Sequence, residues 1–145
     1  MFEDAAGVTY HVETAALSDA LTDTILGILA VVRVFRGGLG LIAELCDGHS
    51  EREAIERAVM NEELWCIRRD ETTVGVIVLR RGVLLGIHLN ETYRRNGVAR
   101  AAITSLRSSG VVITDARALP GDRATKSLFE SIGWKARLLT MSPAE

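Results

Sequence analysis

The chain has 145 residues, a formal charge of -2 from 17 basic and 19 acidic side chains, 48% apolar residues and 5% aromatic residues. These values predict one compact soluble domain over 1–145. They exclude a disordered segment and argue against a general basic surface, so nucleic acid is an unlikely partner. Cys46 and Cys66 have neither metal-ligand spacing nor the spacing of a redox pair, so the expectation is two small thiols in a reducing cytoplasm and no metal site. The start, Met1-Phe2-Glu3-Asp4-Ala5, is acidic where a secretory leader is basic, and the apolar run 25–32 is much shorter than the roughly 20 residues of a membrane-spanning helix. Neither export nor membrane insertion is expected.

In chain order, Val8 to Val12 alternates at period 2 and predicts a strand. Leu17, Leu21, Ile25, Ile28, Leu29 and Val32 recur at helical spacing, with Ser18 and Asp19 as caps. Gly37-Gly38-Leu39-Gly40 predicts a turn, and Ser50-Glu51-Arg52-Glu53 is a capping box opening a helix through about Met60. Leu64 to Leu89 reads as three strands of a meander, with turns at Asp70–Thr73 and Arg81-Gly82. A helix over Gly97 to Leu106 follows, then a strand over Val111–Thr114. An Asp122-capped helix ends at Gly133, and a last strand runs from Trp134 to about Thr140. The expected fold is α+β leaning to α/β, with a mixed central sheet and the order βααβββαβαβ.

The segment Leu84–Gly110 reads as strand, glycine-bearing loop, helix and strand, a crossover that makes its flanking strands parallel. In the loop, Arg94-Arg95-Asn96-Gly97-Val98-Ala99 sets small residues at a helix N-terminus beside two guanidinium groups, an arrangement suited to a phosphate. Alone, the spacing reads better as a capped helix with solvated arginines, and its context at a strand end reverses that reading. Leu89 and Thr114 are expected near the carboxyl ends of neighbouring parallel strands, where open α/β sheets bind ligands. His88, the arginine loop, Asp115 and Asp122 are therefore expected to converge.

Arg94-x-x-Gly97-x-Ala99 preceded by Tyr93, together with Asp122-x-x-Thr125-x-x-x-Phe129-x-x-x-Gly133-Trp134, resembles the two signatures of the GNAT superfamily of acyl-CoA-dependent N-acyltransferases. The element order agrees with that family over roughly residues 8 to 140. The resemblance implies an acetyl-CoA co-substrate, a primary-amine acceptor attacked without a covalent enzyme intermediate, and no metal. It implies a cradle in which the amides of residues 95 to 99 (Arg95, Asn96, Gly97, Val98 and Ala99) take the pyrophosphate with help from Arg94. It also implies that the strand end from Leu89 to Glu91 pairs with pantetheine, and that Asp122 and Phe129 adjoin the cofactor.

Phe129 stands where the family pattern carries a tyrosine, so proton donation to the leaving thiolate passes to solvent or to a group such as Ser127. For the base, Asp115 ranks first, His88 second and Glu91 third, Glu91 reading better as a solvated turn carboxylate and Asp122 as a helix cap. The imidazole has a suitable unperturbed pKa near 6.5, but it reads equally as a hydrogen-bonded core histidine on the face opposite Leu85, Ile87 and Leu89. Glu44 and Asp47 are open as attractors of a cationic amine or as ordinary surface charges. Phe129 also motivates an alternative, a noncatalytic acyl-CoA-binding or sensing module. The high apolar content with few aromatics suggests a homodimer.

Overall fold

The computed structural model describes residues 1–141 and 143. Six strands form one sheet in sequence order: β1 (Phe2–Glu3), β2 (Thr9–Thr14), β3 (Leu64–Arg69), β4 (Thr72–Arg80), β5 (Val83–Leu89) and β6 (Asp115–Ala116). Neighbours are antiparallel through β5, and β5 and β6 are parallel. Helices α1 (Asp19–Val32), α2 (Gly38–Cys46) and α3 (Glu51–Met60) pack on one face; α4 (Val98–Ser108) and α5 (Arg123–Ser131) pack on the other. The mixed sheet and flanking helices agree with the expected fold class.

Four details differ from the expected order. A two-residue strand, β1, precedes the expected first strand. The glycine-rich segment is the start of a helix rather than a plain turn. Gly37 takes φ 79 as its N-cap, and a Cβ on Gly38 would lie 1.9 Å from the Val32 carbonyl oxygen, so glycine is what lets α2 begin against the end of α1. The nine-residue helix is held by burial of Ile42, Leu45 and Cys46. The strand expected at Val111–Thr114 pairs instead at Asp115–Ala116, because the Thr114 amide is already turned onto the Gly82 carbonyl. Residues 134–140 form no strand.

Caps follow the sequence signals. Ser18 Oγ accepts from the Leu21 amide at 3.0 Å, and Ser50 Oγ from the Glu53 amide at 3.2 Å. Ile67, Ile77, Leu84, Val98 and Ile103 fill the core under α4, while Ile25, Ile55, Leu64 and Val76 fill the one under α1–α3. Ile103 is wholly buried. Ile103→Ala is expected to lower stability by about 2–5 kcal/mol, the range for a core methylene deletion that leaves a cavity. Equilibrium urea unfolding measures it, and a loss below about 1 kcal/mol contradicts this packing.

One irregularity bears on the site. Val78 pairs with Gly86 and Leu79 with Leu84, so Leu85 is an extra residue, a β-bulge, in β5. The bulge reverses the facing of the rest of the strand. Leu84 joins the α4-side core and Leu85 the α1–α3 side, whereas beyond the bulge Ile87 and Leu89 both lie with the α4-side core.

Candidate active site

The parallel pairing of β5 and β6 is short. It joins Val83 to Asp115 and Leu84 to Ala116, and ends with the Arg117 amide on the Leu84 carbonyl. Beyond that point the bulge begins and the two chains part. The Asn90 amide donates to Val74 O, and antiparallel pairing alternates, so the backbone groups of Ile87 and Leu89 face away from β4. Their edge has no strand partner among the described residues. A gap with one unpaired strand edge therefore opens from Leu84 toward the carboxyl end of β5, next to the loop that leads into α4.

That loop ends in an uncapped helix. Gly97 is the N-cap of α4 at φ 75, it has no side chain to cap with, and the first intrahelical bond is from the Ala101 amide to the Gly97 carbonyl. The amides of Val98, Ala99 and Arg100 are thus left without an intrahelical acceptor at the positive end of the helix. The N-termini of α1, α3 and α5 are filled by Ser18, Ser50 and Asp122. A Cβ built on Gly97 meets nothing within 4 Å, so the space over the amides is open. Arg95, at φ 69, and Arg100 lie beside it. An open cavity of about 460 Å³ adjoins Gly97 and Arg100 and continues along α4 past Thr104 toward Met1 and Phe2.

Arg94 does more than supply charge. Its Nε donates to the Leu89 carbonyl at 3.0 Å, and Nη2 lies 3.5 Å from His88 Nε2, so the guanidinium braces the end of β5. His88 is opposite Val76 and on the α1–α3 face. The expected grouping is corrected accordingly: Leu85 shares the His88 face, and only Ile87 and Leu89 oppose it, because of the bulge. The imidazole is half-buried. Burial, then the Arg94 guanidinium, push its pKa below the ordinary value of 6.5, and Asp122 pulls the other way. The ring is therefore neutral at neutral pH. Asp122 caps α5, accepting from the Thr125 amide at 3.2 Å and from its hydroxyl at 2.6 Å.

Two residues lie elsewhere than expected. Asp115 does not converge with His88. It pairs with Val83, at the start of β5, five residues and roughly 16 Å along the strand from His88, and its carboxylate accepts from the Thr114 hydroxyl at 3.2 Å. Phe129 is buried beneath α5 and stacked on Trp134 at 5.4 Å, with the Arg107 guanidinium over the Trp134 ring, so it packs in the core. Glu91 opens a short 3-10 turn, Glu91–Tyr93, and its carbonyl accepts from the Arg94 amide. Glu44 is engaged by Arg117 Nε at 3.0 Å, and Asp47 is the C-cap of α2.

Two features were not read from sequence. The α1–α2 connection meets the segment after β6: a Cβ on Gly37 would touch Leu119 at 3.6 Å, and one on Gly121 would touch Phe35 at 3.5 Å. The second is a bond from the Ala5 amide to the Asn96 carbonyl, 3.0 Å long, which ties the N-terminal turn to the cradle loop.

No protein-family model and no curated protein matches the chain. Solved structures do. A GNAT-family acetyltransferase of Listeria monocytogenes superposes with a TM-score of 0.65 at 10% identity, covering 97% of this chain and 94% of its own. The chain has the GNAT fold. The PaiA N-acetyltransferase of Thermoplasma acidophilum, solved in complex with coenzyme A, shares that fold at a TM-score of 0.60 and 10% identity over 89% of this chain and 91% of its own. A ribosomal-protein-alanine N-acetyltransferase of Brucella melitensis biovar Abortus shares it at 0.57 and 18% identity, over 92% and 99%. In this GNAT-fold chain, the parted strands, the bulge and the uncapped α4 occupy one region. No helix among the described residues is long and apolar enough to cross a membrane.

Proposed function

We propose that the chain is an acyl-CoA N-acyltransferase that moves an acetyl group from acetyl-CoA to a primary amine in the cytoplasm. The observation that carries this is the edge of Ile87–Leu89, which has no strand partner among the described residues and whose Leu89 carbonyl is held by Arg94, opening beside three uncapped amides at the start of α4. The two features match the two chemistries of CoA: a diphosphate for the helix N-terminus and an amide-bearing arm for a free strand edge. Bound acetyl-CoA supplies an activated acyl group as a thioester.

The chain's own residues then have distinct tasks. The N–H groups of Gly97, Val98, Ala99 and Arg100 hold the diphosphate, with Arg95 and Arg100 adding screened attraction. Ile87 and Leu89 orient the pantetheine arm along β5. Arg94 keeps the strand end in place through the Leu89 carbonyl. The amine approaches from the α1–α3 side, where the Phe35 connection meets Leu119–Gly121. His88 lies on that face and, being neutral, takes the proton from the ammonium form of the acceptor. Asp115 is too far along β5 for that task. Phe129 packs in the core and has no proton to give, so solvent or a group such as Ser127 protonates the departing thiolate.

Phe129 also supports a second reading, a module that binds acyl-CoA without turnover. Thiol release separates the two. With acetyl-CoA and a panel of primary amines, the enzyme reading expects CoA release that depends on the amine, and a product carrying one added acetyl group by mass spectrometry. Binding of acetyl-CoA with no release for any amine favours the module.

A further inference from the structure

The N-terminal turn is organised around one carboxylate, that of Asp4. Asp4 Oδ1 accepts from the Ala6 and Val8 amides, each at 2.9 Å, and Oδ2 accepts from the Tyr10 hydroxyl at 3.1 Å. The Asp4 amide bonds to the Val8 carbonyl and the Gly7 amide to the Asp4 carbonyl, so the turn from Asp4 to Val8 is closed on itself. One amide is left pointing outward, that of Ala5, and it donates to the Asn96 carbonyl at 3.0 Å. This is the only backbone hydrogen bond among the described residues that joins loop residues 95–97 to a segment distant in the chain. The backbone bonds from Val8 and Ala6, and the one from Tyr10, hold the Asp4 carboxyl below its ordinary pKa, so it is ionised at neutral pH.

The Asn96 carbonyl belongs to the same peptide group as the Gly97 amide. A trans peptide is planar, with its C=O and N–H pointing in opposite directions. Fixing the carbonyl on Ala5 therefore aims the Gly97 N–H away from the turn. Without that anchor the Gly97 peptide is free to rotate, since glycine populates both signs of φ. Tyr10 adds a second link. It stacks on Phe2 at 5.6 Å and meets Tyr93, just before the loop, edge-on at 6.4 Å.

We propose that Asp4 is a positioning residue that, through Ala5 and the Asn96 carbonyl, sets the orientation of the Gly97 amide and so the affinity of the α4 N-terminus for the diphosphate of CoA. This deepens the acyltransferase reading and rests on it. Asp4 touches neither reactant. Its removal weakens cofactor binding and leaves the chemical step alone.

The test compares wild type, Asp4→Ala, Asp4→Asn and Tyr10→Phe by CoA calorimetry and by hydrogen exchange in the free protein. In wild type the Ala5 amide is expected to be protected from exchange. Asp4→Ala is expected to lose that protection and to raise the Kd for CoA about tenfold, the size of one net charge-assisted hydrogen bond, with kcat at saturation within about twofold. Asp4→Asn retains acceptor Oδ1 and is expected to restore most of both readouts, and Tyr10→Phe to give a smaller loss in the same direction. A folded Asp4→Ala that binds CoA as wild type does, or an unprotected Ala5 amide in wild type, overturns the role of Asp4 alone. Failure of wild type to bind CoA overturns the acyltransferase reading and this role with it. If Asp4→Ala fails to fold, Tyr10→Phe with unchanged Kd and unchanged Ala5 protection decides against the proposal.

Discussion

Gly97→Glu is expected to raise the Kd for CoA at least about 100-fold, or about 2.7 kcal/mol, while the protein remains folded. Two effects combine at this position. Gly97 has φ 75, a conformation that costs a residue with a Cβ about 1–2 kcal/mol, and a Cβ there meets nothing within 4 Å. The new side chain therefore extends into open space over the amides of Val98, Ala99 and Arg100, and its carboxylate competes with the diphosphate for the positive end of α4. Gly97→Ala separates the terms, since it keeps the strain and omits the charge, and its Kd is expected to lie between the two. Calorimetric titration with CoA, paired with thermal melts, measures both. Wild-type affinity in a folded Gly97→Glu variant contradicts the placement of the anion.

His88→Gln is expected to lower kcat by about 10²–10⁴, the usual contribution of a positioned general base, with the Kd for CoA changed little. The pH dependence carries the sign. Burial and the Arg94 guanidinium lower the His88 pKa, so the neutral, base-competent ring persists below 6.5 and the acidic limb of kcat/KM falls under that value. The variant loses this limb. Stability follows the same proton: the unfolded chain binds it more readily than the folded one, so wild-type stability falls as pH drops below 6.5, and His88→Gln removes that part of the fall. Asp115→Asn is expected to retain activity within about threefold, because its partner is the Thr114 hydroxyl at the far end of β5. Abolished activity in Asp115→Asn with His88→Gln unaffected reverses the assignment.

These assignments mark where local pattern stops carrying information. The start of α4 was legible because Arg94, Gly97 and Ala99 lie within one loop and one helix turn, so their spacing alone places them at a helix start. The caps at Ser18, Ser50 and Asp122 were legible for the same reason. The face of His88 was not, since one extra residue at Leu85 inverts the alternation, and a bulge is set by cross-strand pairing rather than by the strand's own residues. The level of Asp115 against β5 was hidden in the same way. Parallel register is a contact between segments far apart in the chain, and a shift from residues 111–114 to 115–116 moved the carboxylate to the closed end of the gap. Helix α2 was concealed by three glycines in four residues, where Gly38 serves close packing against α1 rather than a turn. The Ala5–Asn96 bond had no sequence signal beyond Asp4 and Gly7 flanking a short turn.

The most direct test is an amide-resolved NMR titration of the isotope-labelled protein with acetyl-CoA. Saturable shifts confined to Gly97, Val98, Ala99 and Arg100 together with Ile87, His88 and Leu89 are the predicted result, since the co-substrate then spans the uncapped helix and the open strand edge. Shifts confined to the outer side of α4, around Thr104, Ser105 and Phe2, or no shifts at millimolar ligand with the protein folded, contradict the account.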